Sequence, residues 1–204
     1  MIEKQLAPKV RKDPDHKAIY ITTSQFRVSF PKLVAPVASS DEEGAKKKYS
    51  LSMLFPKKHD RKYLIDAVNE VAAMTWGKKL PAGMTKPFKD GDALEYDGYA
   101  GMMAMSGSSS ENFPIQTLGR DKQPCPPAKI YAGCWARASI TIKGYEYGKI
   151  KKGVTVYVQG IQFLADDEEF GGRDVASDFG DDDLGDIESF DSGAEASEEE
   201  AQDW

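Results

Sequence analysis

With 204 residues, 40% of them hydrophobic, the chain is long enough for one domain of ordinary size plus additional segments. Its net charge of −6 conceals a division: residues 166–204 hold 17 acidic side chains against the single basic Arg173, which leaves 26 basic and 16 acidic residues in 1–165. A cationic body attracts polyanions, because neutralising phosphates releases condensed counterions. Two histidines, two cysteines and no CxxC pair argue against a structural zinc site, and no cofactor-binding motif is present. The absence of a signal peptide or a bilayer-length apolar run leads us to expect a cytoplasmic protein with reduced thiols.

Residues 1–16, polar and carrying Pro8 and Pro14, read as a flexible N-terminal arm. A strand is expected over 18–30, ending at Pro31. Its second half sets Phe26, Val28 and Phe30 on one face and Gln25, Arg27 and Ser29 on the other. The run SSDEEGAKKK at 39–48 has no apolar anchor and reads as a loop. Tyr49, Leu51, Met53 and Phe55 then share one face of a strand stopped by Pro56. Asp60 is a plausible N-cap for the one convincing helix, in which Leu64, Val68, Val71 and Thr75 recur at helical spacing up to about Trp76, with Gly77 just past the end.

Residues 77–97 look irregular, with Pro81, Gly83, Pro87 and the turn-like DGD at 90–92. Strand signals return at 99–106 and weakly at 113–118; these segments are too irregular to phase Tyr99 and Phe113, and Met102, Met103 and Met105 read as core filling. Three prolines in QPCPP at 123–127 stiffen the chain before two strong strands, 130–145 and 153–164, joined by a basic loop. Five or six strands with one helix point to an all-β fold, a small Greek-key barrel over 17–170. The stretch 171–204, rich in Gly, Asp, Ser and Glu, cannot bury enough apolar surface to order itself and is expected to be a disordered acidic tail.

The segment YAGCWARASITIKGY at 131–145 carries the most functional information. Extended, it sets Cys134, Ala136, Ala138, Ile140 and Ile142 on one face and Tyr131, Trp135, Arg137, Lys143 and Tyr145 on the other. Rings interleaved with cations suit single-stranded nucleic acid: bases stack on the rings and cations follow the phosphates. The competing reading puts Trp135 under a neighbouring loop and leaves Arg137 as a solvated charge. Tyr145, Tyr147, Lys151 and Lys152 repeat the mixture in the next loop, either as an extension of a groove or as a soluble hairpin tip. Arg27 joins the candidate groove from its own strand. In the tail, Glu198, Glu199, Glu200, Asp203 and the terminal Trp204 read as an anchor for a basic partner surface.

The stretches IYAGCWARASITI (130–142) and GVTVYVQGIQFLADDEEFGG (153–172), with weaker agreement over 26–55 and 60–76, resemble the OB-fold single-stranded-DNA-binding proteins of tailed phages. The resemblance implies an OB-fold barrel that coats single strands in replication, recombination or repair. It also implies groove roles for Tyr131, Trp135, Arg137 and Lys143, and a tail that recruits replication proteins such as a polymerase or helicase-primase, the protein being a monomer or homodimer. Two further readings stand beside it: an RNA-binding, cold-shock-like OB protein, and an interaction module acting through its acidic tail. No phosphate-binding glycine loop, zinc spacing or nucleophile elbow supports an enzyme.

Overall fold

The computed structural model describes residues 4–38, 40, 44–148 and 151–171. They form nine strands, β1 Lys9–Asp13, β2 Ala18–Thr22, β3 Phe26–Ala38, β4 Lys47–Pro56, β5 Phe88–Asp90, β6 Met102–Ser110, β7 Gln116–Leu118, β8 Trp135–Tyr147 and β9 Lys151–Ala165, with one α-helix, α1 Lys62–Trp76.

Five of the strands close on themselves. β3 pairs antiparallel with β4, and β4 with β6; β6 meets β9 in parallel at Ser108↔Tyr157; β9 pairs antiparallel with β8 along its length; and β8 returns to β3 through Phe26↔Ala136 and Arg27↔Trp135. This is the five-stranded Greek-key barrel of an OB fold. The short strands are additions: β1 and β2 extend from β8, β5 pairs with β6, and β7 with β9. The segment expected to be a loose arm therefore contains a paired strand. Its approach is fixed by the buried Gln25, whose side chain accepts from Leu6 N and donates to the Lys4 carbonyl.

The period-2 pattern sorts the barrel interior as strand geometry requires. Tyr49, Leu51, Met53 and Phe55 of β4 are buried, as are Ala136, Ala138, Ile140 and Ile142 of β8 and Val154, Val156 and Val158 of β9. Phe26 and Phe55 meet at 5.3 Å between ring centroids. Helix α1 starts within two residues of Asp60, which accepts from Lys62 N, and it buries Leu64, Ala67, Val68, Val71 and Ala72 against this core. Its C-terminal turn sits on Gly144 of β8, where a Cβ would come within 2.5 Å of the Thr75 hydroxyl. Gly77 ends the helix at φ 71°, a conformation that costs glycine little. Among the described residues, no helix is long and apolar enough to cross a membrane.

Both cysteines are free thiols. Cys134 is fully buried, and burial pushes its thiol up to about 12, whereas Cys125 is partly accessible. Because the thiolate is the reactive form, a thiol-specific reagent should modify Cys125 alone in the native protein and both residues in denaturant. Rapid native labelling of Cys134 would contradict this placement.

Candidate nucleic-acid interface

The middle of the outward face of β4 and β6 carries small hydroxylated residues. Ser50 lies opposite Ser108 and Ser52 opposite Ser106, while the buried residues between them fill the barrel. Gly107 points inward, where a Cβ would come within 2.5 Å of Val158. The result is a low floor under a groove of about 480 Å³. Its rim carries Lys32, Lys48, Lys86 and Lys89 together with Tyr145 and Phe30, and none of its lining residues is acidic. Lys86 and Lys89 are held in place by backbone: Thr85 N donates to the Lys152 carbonyl, Val154 N donates to the Thr85 carbonyl, and β5 pairs with β6.

Phe30 reaches this groove through a bulge. β3 advances from Ser29 to Lys32 while β4 advances only from Ser52 to Ser50, and Phe30 takes up the extra residue at φ 46°. A left-handed backbone at a bulky residue costs about 1–3 kcal/mol, and such outliers cluster at functional sites. A bulge re-aims a side chain: the ring that alternation assigns to the core is 52% exposed. It stands edge-on to Tyr96, centroids 5.2 Å apart, with Tyr99 behind both.

At the β3/β8 seam, the described chain ends in a clasp. Residues 166–171 fold back over Arg27 and Trp135. The indole Nε1 donates to the Asp167 carboxylate at 2.6 Å, and this bond, the largest cause, holds the Asp167 carboxyl below the usual range. Arg27 donates to the carbonyls of Gly133 and Glu168 and lies 4.3 Å from the Phe170 ring centroid. Tyr131 Oη is hydrogen-bonded to Asp166 and Asp167, and Phe170 N donates to the Ala132 carbonyl. Two glycines make room for this segment. A Cβ on Gly133 would come within 2.1 Å of the Glu168 carbonyl, and one on Gly98 within 2.2 Å of the Phe170 ring.

A family model described as the ssDNA-binding protein of Enterobacter phage Enc34 matches residues 19–188. The chain belongs to this family. Protein p50 of Acyrthosiphon pisum secondary endosymbiont phage 1 is 32% identical over 195 residues, covering 88% of this chain and 97% of that protein. Among solved structures, the single-stranded DNA-binding protein of bacteriophage Enc34 in complex with ssDNA matches with a TM-score of 0.63 at 26% identity, covering 83% of this chain and 99% of the other. Gp2.5, the single-stranded DNA-binding protein of bacteriophage T7, shares the fold at 10% identity, with a TM-score of 0.54 over 78% of this chain and 96% of that one.

Within this Enc34-type barrel the expected groove residues do not form one surface. Tyr131, Trp135 and Arg27 lie under residues 166–171 in the clasp, and Trp135 is only 4% exposed. Trp135 does alternate outward from Cys134 and Ala136, but the clasp covers that outward face. Arg137 is half-buried and donates from Nε to Gln162 at 2.8 Å. Lys143 lies on the far side of the β6/β9 seam, lining a different concavity. Tyr145 does line the groove, Tyr147 and Lys151 are exposed near the β8–β9 turn, and Lys152 pairs with Glu146 at 3.1 Å. Phe30, Lys32, Lys86 and Lys89, which line this groove, were not among the residues the sequence singled out for it. Lys48 was visible only as part of a basic run, although its place at the head of an alternating strand marks it as outward-facing. Glu198, Glu199, Glu200, Asp203 and Trp204 lie outside the described residues.

The lowered Asp167 carboxyl has a consequence for stability. Its contribution is present above the unfolded aspartate value of about 3.9 and is lost as pH falls through the depressed native value. Wild-type protein should therefore have a higher urea midpoint than Asp167→Asn at pH 7, and the gap should close as pH falls through the depressed native value. A gap of the same size in acid would show that the carboxylate's charge is not what the clasp uses.

Proposed function

We propose that this protein binds and protects single-stranded DNA, largely without regard to sequence, along the β4–β6 face of its barrel. The observation that carries the reading is the carboxylate-free lysine groove, with the Phe30 ring turned into it by a left-handed bulge. Lys32, Lys48, Lys86 and Lys89 neutralise phosphates. Phe30 and Tyr145 offer faces to unpaired bases, and the serine floor is low enough for the strand to lie close to the sheet. The β4–β6 face and its flanking loops are where OB folds take oligonucleotides, and a relative of the same family was solved with ssDNA bound. The role is binding rather than catalysis, in phage DNA replication, recombination or repair within the host cytoplasm.

The experiment is fluorescence anisotropy of labelled oligo-dT titrated at several salt concentrations. Four lysine–phosphate contacts give a slope of log K against log salt of about −3 for a single strand. Lys48→Ala with Lys89→Ala should weaken binding and flatten that slope by about 1.4. Phe30→Gly, which tolerates the positive φ, should weaken binding about tenfold, as expected for one lost stacking platform. Unchanged affinity in both variants would overturn the assignment of this groove.

The tail belongs to the same proposal. Its 171–204 segment, with Glu198, Glu199, Glu200, Asp203 and Trp204, recruits replication proteins such as a polymerase or helicase-primase and competes with DNA for the cationic groove. Phe170, at the end of the described chain, packs on Leu54, Tyr99 and Ala104, and Tyr99 in turn meets the Phe30–Tyr96 rings. Truncation after Gly171, which spares the clasp, should raise DNA affinity at low salt and lose this effect at high salt. Equal affinities at low salt would remove the competition.

A further inference from the structure

A second and larger concavity, about 830 Å³, lies across the β6/β9 seam from the serine floor and has no role in the reading above. Its base is the outward face of β2, β8 and β9. One cross-strand row runs through it, with Arg11 opposite Tyr20, Tyr20 opposite Thr141, Thr141 opposite Tyr157 and Tyr157 opposite Ser108. Ser108 is also part of the first groove's floor, so the two concavities adjoin.

The wall is the turn after β6. There Phe113 N donates to the Ser110 carbonyl at 3.0 Å and the Ser109 hydroxyl donates to the Phe113 carbonyl at 2.6 Å. These bonds hold the Phe113 ring out in solvent, 72% exposed, and Tyr157 on the base is 44% exposed. Large rings left outside a barrel that has a full core contribute little to its stability. On this surface they are surrounded by hydroxyl and amide groups. Lys143 lines the same concavity, the Arg11 guanidinium lies 4.1 Å from the Tyr20 ring centroid, and no acidic residue is among the lining. Rings, cations and no carboxylates are the same chemistry as in the first groove, reached by crossing one seam.

We infer that the bound strand continues from the serine floor over Ser108 into this second groove. Bases stack there on Tyr157 and Phe113, and Lys143 and Arg11 take phosphates. The inference rests on the DNA reading above and extends its footprint to both sides of the β6/β9 seam.

The test compares dT oligomers of about 5 and about 15 nucleotides, within the range that single OB folds occupy, using the full chain and anisotropy. The double variant Phe113→Ala with Tyr157→Ala should bind the long oligomer about tenfold or more weakly while keeping the affinity for the short one. Phe113→Tyr with Tyr157→Phe, which retains both rings, should behave as wild type. Lys143→Glu provides a second route, also weakening only the long oligomer. Wild-type affinity for the long oligomer in both the alanine pair and Lys143→Glu would overturn the inference and leave the first groove standing alone. Wild-type protein that retains neither oligomer would remove both readings together.

Discussion

Everything in this molecule depends on how the barrel closes. The β3/β8 seam has only two ladder pairs, Phe26↔Ala136 and Arg27↔Trp135. It is reinforced by bonds outside the ladder: Thr23 N donates to the Ala138 carbonyl, Val28 N to the Cys134 carbonyl, and Gly133 N to the Val28 carbonyl. The Ala138 amide in turn donates to the buried Thr23 hydroxyl, so the polar backbone at the join is satisfied without a longer strand pairing. The clasp then covers the seam from outside, with one guanidinium bridging Gly133, Glu168 and the Phe170 ring. Because β3 is anchored here, its next residues, Phe30 and Lys32, are carried to the edge of the serine floor. The same join that holds the barrel shut positions the groove.

Charge is segregated just as closely. Several acidic residues are paired outside the two groove linings: Asp90 and Asp92 with Lys57, Asp66 with Lys62, Glu146 with Lys152 and Trp76, Asp167 with Arg27 and Trp135. Exposed pairs of this kind add little stability. No carboxylate is among the residues that line either concave surface. Among the described residues, Lys32, Lys48, Lys86 and Lys89 form no ion pair. Four unneutralised ammonium groups around a floor with no negative charge form a strip of positive potential, which a polyanion would meet at full strength at low salt and a screened one at high salt.

The clasp also changes what the family resemblance means. The Gly-Cys-Trp segment and the DDEEFG exit at 166–171, far apart in the chain, are two halves of one contact. Gly133 leaves space for the Glu168 carbonyl, and the Trp135 indole meets Asp167. A motif of rings and cations can thus mark a structural closure as readily as a ligand surface. The distinction lies in whether acidic partners cover it.

Fold class, the helix and the inward faces of β4, β8 and β9 could be read from the sequence because they follow from local rules. Side chains alternate along a strand, apolar residues recur along a helix face, and a glycine ends it. The cationic body and anionic tail needed only counting. Tertiary structure decided which outward faces are open. Trp135 and Arg27 alternate outward as their strands require, yet a segment more than 30 residues away in sequence covers them. Phe30 alternates inward, yet a one-residue bulge reverses it. Lys86 and Lys89, in a stretch with no periodicity, gain their place through Thr85's backbone bonds to β9 and β5's pairing with β6. Periodicity assigns a side chain to a face of its own strand; what lies against that face is set by non-local partners and register, which the local pattern does not encode.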